Sequence, residues 1–415
     1  MKNNSIELKF LGGAEEVGRL GLLFNTEKKR FLFDYGIAPT DPPRYPLGSP
    51  NVDAVFLSHT HLDHSGLLPQ HVRYYQNPIY TTRISAKITE LLIRDSLKIA
   101  DFEGYMKRFS LSDVELMCRC FMPISYGQSL EFGKDVSVKV HSAGHIPGAA
   151  MFSVDADGRR SLFSGDLNTI DTKLVRKAKA VECDNLILEA TYAEREHPPR
   201  KELEKEFLEN VEEVVERGGR VVVPAFAVGR TQEMLMLLAK SDYEIWLDGM
   251  GIMVTEMFLN HGNFLADATS LAKSFKRARI VKNPFDRRKA VNGDVIITTS
   301  GMLDGGPVLY YLNQFLKDKN SAIFLTGYQV EGTNGRRLLD TGRILINGVE
   351  LKPEMELKFF DFSAHAGHKE LKEFIYKANP ENIVLMHGDN REALAQEIEK
   401  DFKVFTPLTG ERLRL

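Results

Sequence analysis

Short apolar runs separated by turns dominate the first third of the chain. Such runs are typical of strands, and a buried strand carries a nearly continuous apolar run. The predicted strands here are residues 6–11, 20–24, 30–34, 53–58, 136–140, 150–154, 161–163 and 185–188. Residues 84–118 place apolar side chains in a polar background and are predicted to be helical. This region therefore combines many strands with little helix.

A different pattern begins near residue 193. An acidic helix over residues 201–217, predicted to be a solvated face, is followed by strands and helices in alternation. The predicted strands are residues 220–224, 244–247, 294–299 and 321–326, and the predicted helices between them include residues 231–239 and 308–316. A repeated order of strand, glycine-bearing loop and helix indicates a parallel sheet covered by helices.

The last fifty residues return to the first pattern. Strands are predicted at residues 355–360 and 382–386, with a helix at 368–378 between them. The second region is therefore either inserted into the first or appended to it with a return, and the pattern alone leaves both open.

Composition limits the class of protein. A length of 415 residues predicts two or three domains. Apolar residues make up 43% and charged residues 27%, which excludes a disordered, collagen-like or coiled-coil chain. No apolar run reaches the roughly 18 residues of a membrane helix, so no membrane association is expected. The N-terminal residues lack the apolar stretch of a secretory signal.

Cysteine usage and charge narrow the setting further. The three cysteines cannot form a disulfide framework, so a reducing cytoplasm is the expected compartment. The net charge of −3 gives no bulk signal of nucleic-acid binding. A basic surface, if the protein has one, must be local.

The histidines carry the strongest chemical signal. His59, His61, Asp63 and His64 form an HxHxDH run directly after a predicted strand. In an extended chain His59 and His61 point the same way, whereas Asp63 and His64 lie at the turn and can face a second position about 3–4 Å away. Imidazole and carboxylate ligands suit zinc, and less often iron or manganese. The alternative is a solvated loop, but burying these groups without a metal would be costly.

Six further candidates lie at strand ends or in tight glycine loops. They are Asp34, His145, Asp166, Glu189, His365 and His387. Each alone is more typical of a structural or solvated residue. Together they are informative, because ligands at strand ends converge on one sheet edge, where α/β folds place their sites.

These motifs resemble a known family. The HxHxDH run, with the later Gly-His145, Ser-Gly-Asp166 and Met-His387-Gly motifs, resembles the metallo-β-lactamase superfamily. Glu189 in LEATY, His365 in FSAHAG and His387 in LMHGD are similar to motifs A, B and C of its β-CASP branch, which contains nucleases. The details resemble the archaeal nucleases that are similar to the cleavage and polyadenylation specificity factor, and also RNase J. The resemblance covers nearly the whole chain.

The resemblance implies a fold and a division into domains. The fold would be an α/β protein, a metallo-β-lactamase αββα sandwich with an inserted β-CASP α/β domain. The implied bounds are 1–193 for the N-terminal part of the metallo-β-lactamase domain, 194–357 for the β-CASP domain and 358–415 for the C-terminal part of the metallo-β-lactamase domain.

The resemblance also implies two bound Zn²⁺ ions. The implied ligands are His59, His61 and His145 for one ion, Asp63, His64 and His387 for the other, and Asp166 as a bridge between them. The metals would activate a water for in-line attack on an RNA phosphodiester and stabilise the charge that grows on the phosphate.

Further residues would assist the chemistry. Asp63 and Asp166 would be catalytic as well as metal-binding. His365 would protonate the leaving oxygen or hold a non-bridging oxygen, and Glu189 would orient it and keep it cationic. Asp34 would hold a ligand or its loop without touching metal.

Contacts to RNA are predicted in three places. Ser363 and Ala364, beside His365, and Gly301, in a glycine loop, are predicted to contact phosphate or RNA. Residues 273–289 hold eight lysines and arginines against one aspartate, with Phe275 and Phe285 among them, and phosphate contacts could come from here. The alternative for this stretch is a solvated surface with two core phenylalanines.

The leading functional hypothesis is a zinc-dependent ribonuclease, acting as an endonuclease, a 5′–3′ exonuclease or both. Its expected partners are single-stranded RNA, a second copy of the chain in a homodimer, and proteins of RNA processing. The alternatives are a non-catalytic RNA-binding subunit of a processing complex, a small-molecule hydrolase and a DNA nuclease. The complete ligand set disfavours the first alternative, and the inserted domain together with His365 and His387 disfavours the second. The resemblance disfavours the third, because DNA-directed members of the β-CASP branch usually lack a histidine at motif C, where this chain has His387.

Overall fold

The computed structural model describes residues 6–40, 42–346 and 348–415. The predictions made for the first and second domains and for the N-terminal sequence extend over residues 1–5, 41 and 347, which lie outside this description. Among the described residues, no helix combines the length and apolar character needed to span a bilayer.

The strands and helices of the described residues are numbered in chain order. The strands are β1 (Glu7–Gly12), β2 (Gly21–Asn25), β3 (Arg30–Phe33), β4 (Ala54–Phe56), β5 (Ile79–Thr82), β6 (Phe121–Ile124), β7 (Ser129–Glu131), β8 (Val136–Ser142), β9 (Ala150–Ala156), β10 (Arg159–Phe163), β11 (Asn185–Glu189), β12 (Val221–Pro224), β13 (Ile245–Asp248), β14 (Arg279–Ile280), β15 (Val295–Thr298), β16 (Ala322–Leu325), β17 (Ile344–Ile346), β18 (Val349–Leu351), β19 (Glu356–Phe359), β20 (Asn382–Met386), β21 (Lys403–Phe405) and β22 (Arg412–Arg414). The α-helices are α1 (Leu62–Ser65), α2 (Leu68–Tyr75), α3 (Arg83–Glu103), α4 (Leu111–Cys120), α5 (Arg200–Glu216), α6 (Arg230–Leu238), α7 (Gly251–Leu259), α8 (Ala268–Arg277), α9 (Pro284–Ala290), α10 (Val308–Phe315), α11 (Asn334–Thr341), α12 (His368–Ala378) and α13 (Arg391–Ile398).

The chain divides into two compact units. The first comprises the described residues up to Asp171 together with Lys177–Glu196 and Ala364–Leu415. The second comprises Thr172–Arg176 and His197–Ser363. The domain bounds given above, at residues 193 and 357, remain a prediction.

Two seven-stranded sheets form the first unit. Their strand orders are β22-β1-β2-β3-β4-β5-β6 and β21-β20-β11-β10-β9-β8-β7. A phenylalanine-rich core joins them: the rings of Phe33 and Phe163 lie 4.9 Å apart, and those of Phe56 and Phe152 lie 5.2 Å apart. The inward faces of the sheets therefore form one shared hydrophobic layer.

The outer faces of these sheets carry helices. In β3, Phe31 and Phe33 belong to the core between the sheets, whereas Leu32 packs in a second cluster with side chains of α2, α3 and α4. Both faces of the strand are buried, which explains its continuous apolar run. Helices α12 and α13 pack against each other, and α13 also contacts β20 and β21. The layers are thus helix, sheet, sheet, helix.

The C-terminal strands decide how the chain is connected. β20 pairs in parallel with β11, and β22 pairs antiparallel with β1. The end of the chain therefore completes both sheets of the first unit, and the second unit is inserted in the sequence rather than appended.

The prediction of continuous helix over residues 84–118 is wrong in one respect. The structure forms two helices, because α3 ends at Gly104, which has a left-handed φ of 74°. α4 then begins with a capping box between Ser110 and Asp113. Glycine adopts this conformation at little cost, so it ends a helix readily.

The second unit contains a six-stranded sheet with the order β14-β13-β15-β12-β16-β19. All its strand pairs are parallel; α5 precedes its first strand in the sequence, and helices α6 to α11 lie between its strands. This confirms the parallel sheet predicted from the strand and helix alternation. β17 and β18 form a separate antiparallel hairpin.

Candidate metal centre

The candidate site lies in the first unit, in loops that follow the ends of strands. The HxHxDH run follows β4, and Asp166 follows β10. Glu189 ends β11, and His387 follows β20. β10, β11 and β20 are parallel neighbours, so their carboxyl ends meet at one sheet edge. Parallel strand topology therefore gathers residues that are more than two hundred positions apart in sequence.

The first donor set consists of His59, His61 and His145. Together with Asp166 they offer one ligand atom each, all within 4.8 Å of one another. His59 Nε2 lies 3.0 Å and His145 Nε2 lies 3.2 Å from His61 Nδ1. Zinc–nitrogen distances of about 2.0–2.1 Å in a tetrahedron require ligand atoms roughly 3.3 Å apart. The spacing of this set is therefore suited to one tetrahedral ion.

The second donor set consists of Asp63, His64 and His387, whose ligand atoms also lie within 4.8 Å of one another. Asp63 Oδ2 is 3.7 Å from His64 Nε2 and 3.5 Å from His387 Nε2. Two imidazoles and a carboxylate are a donor combination typical of zinc sites.

Asp166 faces both donor sets with different oxygens. Its Oδ2 lies 3.4 Å from His59 Nε2 and 3.6 Å from His145 Nε2. Its Oδ1 lies 3.2 Å from His64 Nε2 and 3.7 Å from His387 Nε2. The carboxylate thus stands between the sets, in a position to share one oxygen with each.

Buried polar atoms provide a test of whether a metal fits. Within the described residues, His64 Nε2, His387 Nε2 and Asp166 Oδ1 are buried and have no hydrogen-bond partner. Leaving buried polar atoms unpaired costs about 1–3 kcal/mol each. All three atoms point into the second donor set, so a bound cation would satisfy them together. These residues therefore fit a metal.

The protonation of the first donor set is also suited to a metal. Burial lowers the pKa of His59 and His145 well below the ordinary value, and neighbouring imidazoles lower it further. Burial likewise lowers the pKa of His61. A neutral imidazole is the form that binds metal, so these side chains are ready to coordinate at neutral pH.

His64 and the carboxylates of Asp63 and Asp166 hold opposite charges side by side. Burial alone would lower the pKa of His64, but Asp166, Asp63 and Asp34 outweigh it and raise that pKa well above the ordinary value. Burial would raise the pKa of Asp63 and of Asp166, but the imidazoles beside them hold both carboxyl pKa values well below the usual range. Both aspartates therefore remain ionised, as metal ligands must be.

Asp34 holds the second donor set in place from behind. Its Oδ2 lies 2.8 Å from His64 Nδ1 and accepts a hydrogen bond of 2.7 Å from Ser58 Oγ. Its Oδ1 accepts the Ser58 N–H at 2.7 Å. Ser58 Oγ is also 3.0 Å from His59 Nδ1. A carboxylate on the far nitrogen fixes the tautomer and turns Nε2 toward the metal position.

His145 is oriented by a backbone group instead. The distance from its Nδ1 to the carbonyl oxygen of Ala364 is 2.8 Å. Ala364, which was predicted to contact RNA, therefore lies beside the first donor set, and its carbonyl oxygen contacts the predicted zinc ligand His145.

The other two residues predicted to contact RNA lie in the second unit. The carbonyl oxygen of Ser363 accepts a hydrogen bond from Arg200 at 3.3 Å. Gly301 is buried, and its carbonyl oxygen accepts one from Gln329 Nε2 at 3.1 Å. Their contact with RNA remains a prediction.

Glu189 and His365 form a separate pair beside Asp166. His365 Nδ1 lies 2.9 Å from Glu189 Oε1. Glu189 also accepts the backbone N–H groups of Leu167 at 2.8 Å and Thr191 at 3.1 Å. Because both carboxylate oxygens already accept hydrogen bonds, the pair is better described as an oriented imidazole than as a third metal site. His365 Nε2 lies 3.9 Å from Asp166 Oδ2.

The Glu189 carboxylate also sets the charge of His365. Burial lowers the pKa of this imidazole, but Glu189 and Asp166 outweigh burial and raise the pKa to about 9. His365 is thus favoured as a cation at neutral pH, unlike the histidines of the first donor set.

Unusual backbone conformations occur at the site. Asp34 and His387 both have a φ of 56°, which is uncommon outside glycine. The N–H of His387 is held by the carbonyl oxygens of Gly13 and Ala14 at 2.9 and 3.1 Å. Gly165 has a φ of 52°, and a Cβ atom there would lie 2.6 Å from the Cβ of Ser58. The site therefore depends on a left-handed turn directly before Asp166.

Sequence reasoning missed two serines. Ser58 links Asp34 to His59, and Ser164 Oγ accepts the N–H of Glu189 at 3.0 Å. Both were visible only as neighbours of the HxHxDH run and of Asp166. A serine next to a ligand motif gives no sign of the direction of its hydroxyl.

A histidine outside the cluster illustrates the contrast. His71 is fully buried, and its ring nitrogens lie 2.7 Å from Ser49 Oγ and 3.0 Å from Asn77 Oδ1. Burial lowers its pKa to about 4. Both nitrogens have neutral partners, so this residue is structural.

Comparisons with known proteins show the family of the chain. A metallo-beta-lactamase superfamily domain matches residues 24–191, a Beta-Casp domain matches 231–338, and a Zn-dependent metallo-hydrolase RNA specificity domain matches 350–407. A probable RNase MJ4 of Methanocaldococcus jannaschii is 39% identical over 99% of this chain and 100% of that relative. The chain belongs to the β-CASP branch of the metallo-β-lactamase superfamily. The resemblance inferred from the motifs is confirmed, as is the α/β fold class.

Other known proteins are similar to this chain over most of its length. RNase aCSPSF2 of Saccharolobus solfataricus is 35% identical over 98% of this chain and 85% of its own length. The transcription termination factor FttA of Methanocaldococcus jannaschii is 32% identical over 99% of this chain and 72% of its own length. A protein of unknown function from Enterococcus faecalis V583 has a TM-score of 0.65 and 17% identity over 99% of this chain and 100% of that one, which supports the fold alone.

Proposed function

We propose that this β-CASP protein is a ribonuclease that hydrolyses RNA phosphodiester bonds with two bound Zn²⁺ ions. The observation that carries the proposal is the position of Asp166, whose two carboxylate oxygens face two separate donor sets. Two relatives named as RNases and the RNA specificity family model support RNA as the substrate.

The first donor set would hold one ion, the second donor set the other, and Asp166 would touch both. When bound, two zinc ions supply Lewis-acid stabilisation of negative charge and lower the pKa of a water toward neutrality. The remaining chemistry falls to the chain itself.

His365 is the residue placed to move a proton. Its Nδ1 is engaged by Glu189, so its Nε2 is the atom directed toward Asp166 and the donor sets. As a cation it can donate a hydrogen bond to a phosphate oxygen or a proton to the leaving oxygen. Glu189 is a positioning residue, since it acts through His365 and is itself held by two backbone N–H groups.

The metal assignment is tested by elemental analysis of wild-type protein and Asp166→Ala. Two zinc ions per wild-type chain and a loss of zinc and RNA cleavage in the variant are expected. Full activity of a metal-loaded Asp166→Ala protein would contradict the shared-carboxylate site. Single-stranded DNA of the same sequence serves as the control substrate, and equal cleavage of both would move the assignment to a general nuclease.

Cleavage direction is tested with one RNA labelled separately at its 5′ and 3′ ends, with and without a 5′ monophosphate. Early release of 5′-labelled mononucleotide, dependent on that phosphate, indicates a 5′–3′ exonuclease. Discrete internal fragments indicate an endonuclease. No cleavage by protein that carries two zinc ions would favour the non-catalytic RNA-binding subunit. The homodimer, the protein partners and the cytoplasmic location implied by the resemblance remain predictions.

A further inference from the structure

The second unit carries a concentrated basic surface at the edge of its six-stranded sheet. It is formed by residues 273–289, here called the basic edge, which run from α8 through the edge strand β14 into α9. Eight lysines and arginines face one aspartate in this stretch, whereas the whole chain has 54 basic and 57 acidic residues. The charge is therefore local.

Most of these cations are not neutralised within the protein. Arg279 lies 3.4 Å from Glu244, and Arg287 binds Asp248 with two hydrogen bonds of 2.6 and 2.9 Å. Arg277 donates only to backbone carbonyl groups. Across the residues that the structure describes, no carboxylate oxygen lies within 4 Å of five exposed cations, namely Lys273, Lys276, Lys282, Arg288 and Lys289.

The one acidic residue of the stretch is used locally. Asp286 Oδ2 accepts the N–H of Lys282 at 3.1 Å and the side-chain amide of Asn283 at 2.9 Å. Asn283 in turn caps α9 by accepting the N–H groups of Phe285 and Asp286 at 2.9 and 3.0 Å. The acid therefore fixes the start of the helix, and Phe285 stands on a rigid, capped first turn.

Phe285 decides between a solvated surface and a binding surface. The alternative interpretation of the sequence placed Phe275 and Phe285 in the core, but Phe275 is half-buried and 56% of Phe285 is exposed. Lys289 Nζ lies 4.3 Å and Arg288 Cζ 5.8 Å from the centre of its ring. The exposed ring thus lies among cations that are unpaired within the described residues, and burying it against a partner would be favourable. Aromatic rings among cations are how proteins hold single strands, by stacking bases and contacting phosphates.

We propose that the basic edge is a docking surface for single-stranded RNA outside the metal centre. The five exposed cations would contact backbone phosphates, and Phe285 would stack on a base. This proposal rests on the proposed ribonuclease function for its choice of RNA, but the surface belongs to the second unit and contains none of the metal-site residues.

The binding test uses the full chain and a fluorescein-labelled 30-nucleotide polyuridine with phosphorothioate linkages, which resist hydrolysis. Fluorescence anisotropy is recorded across a series of salt concentrations. Each phosphate contact to a single strand contributes about 0.7 to the slope of log K against log salt. The triple variant Lys276→Gln/Lys282→Gln/Arg288→Gln should therefore lower the slope by about 2 and weaken binding at 0.1 M salt by roughly tenfold to a hundredfold.

A matched control removes the same charge elsewhere. The triple variant Lys87→Gln/Lys139→Gln/Lys400→Gln replaces three exposed lysines that are scattered over the first unit. It should change the slope by less than about 0.5, because scattered charges act only through long-range attraction. An equal loss in both triple variants would overturn the proposal.

Phe285 is tested separately. Phe285→Ala should weaken binding about fivefold to a hundredfold, as expected for the loss of one stacked base, with little change in the salt slope. Phe285→Trp should restore it. Unchanged binding by Phe285→Ala, or competition by polyglutamate as strong as by polyuridine, would overturn the assignment of an RNA surface.

Failure of this proposal can be told apart from failure of the proposed function. Cleavage of a dinucleotide RNA, whose single phosphodiester must be held at the metal centre and leaves none for the basic edge, should be the same in wild type and in the basic-edge variants. Normal cleavage by all variants with unchanged polyuridine binding would reject the basic edge alone. If the protein cleaves no RNA but still binds polyuridine through the basic edge with the expected salt dependence, the proposed ribonuclease function is rejected. The proposal of an RNA-docking surface would then stand.

Discussion

Replacing Asp34 by asparagine probes the support behind the metal centre without removing any predicted ligand. The carboxylate is fully buried and accepts from the N–H and the hydroxyl of Ser58, and its Oδ2 lies 2.8 Å from His64 Nδ1. Asparagine has nearly the same shape but only one acceptor oxygen. In either orientation of the amide, its NH₂ group replaces one of the two acceptor oxygens. A donor that was bonded to that oxygen is then left without an acceptor.

The expected size of the effect follows from that count. One buried N–H or O–H group left without an acceptor costs about 1–3 kcal/mol. Loss of a carboxylate behind a ligating histidine typically weakens metal binding by about 10- to 100-fold, which corresponds to about 1.4–2.7 kcal/mol. Because Asp34 contacts His64 directly and reaches His59 only through Ser58, the ion of the second donor set should be weakened more.

The assay is a competition titration of zinc against a chromophoric chelator, in which wild-type protein is expected to show two binding steps. Asp34→Asn should shift the step of the second donor set by about 10- to 100-fold and leave the other step within about threefold. Asp248→Asn is the matched control. That aspartate is also buried and accepts three hydrogen bonds, from Arg287 and Tyr311, but lies in the second unit.

Two results would refute the reasoning. Unchanged affinity in both steps of Asp34→Asn would mean that His64 is oriented by something other than Asp34. An equal loss of zinc in Asp248→Asn would mean that general destabilisation, rather than loss of the bond to His64, explains the effect. Thermal unfolding of both variants in excess chelator measures that destabilisation directly.

Three further predictions concern the site and the fold. His365→Ala should retain two zinc ions by elemental analysis, but its turnover rate should fall by about 10²- to 10⁴-fold. His61→Ala, in contrast, should lose zinc. A large loss of zinc in His365→Ala would mean that His365 is a ligand. Gly165→Ala should abolish zinc binding and destabilise the fold, because the new Cβ would lie 2.6 Å from the Cβ of Ser58. Gly158 also has a positive φ but has open space around it, so Gly158→Ala should lower the free energy of unfolding in urea by only about 1–2 kcal/mol. The pKa of His71 is about 4 in the folded state and about 6.5 in the unfolded state. Between these pH values the imidazole is therefore protonated only when the protein unfolds. The free energy of unfolding should thus fall by about 2 kcal/mol more between pH 7 and pH 5 in wild type than in His71→Gln, and equal pH slopes would contradict this.

The strands with continuous apolar runs were predictable, because burial on both faces demands such runs. β3 illustrates this, since it is buried on both faces by different partners. The strands β5, β6, β7, β14, β17, β18, β21 and β22 were not predicted, and five of them (β6, β7, β14, β21 and β22) are edge strands of the three larger sheets. The helical stretch over residues 84–118 was predicted with the right type but without its break at Gly104. A single glycine in an amphipathic pattern does not by itself indicate whether the helix ends there or continues. Phe285 was expected in the core under one interpretation, and its exposure depends on packing that no local pattern records.

The sequence by itself determined which side chains are able to bind metal. His59, His61, Asp63 and His64 are close together because six consecutive residues cannot separate far, so this part of the site follows from local spacing and the motifs around it. The same holds for the basic edge, where seventeen residues concentrate charge whatever the fold.

Only the tertiary structure decided how distant residues are joined. Asp166 and His387 meet because β10, β11 and β20 are parallel neighbours, and the HxHxDH run reaches them from β4 in the other sheet of the first unit. Both relations are set by long-range sheet topology. Which oxygen of Asp166 faces which donor set, and the contact of Asp34 with His64, depend on side-chain directions fixed by packing. A sequence pattern records side-chain chemistry and local spacing, whereas hydrogen-bond partners far along the chain are chosen by the fold.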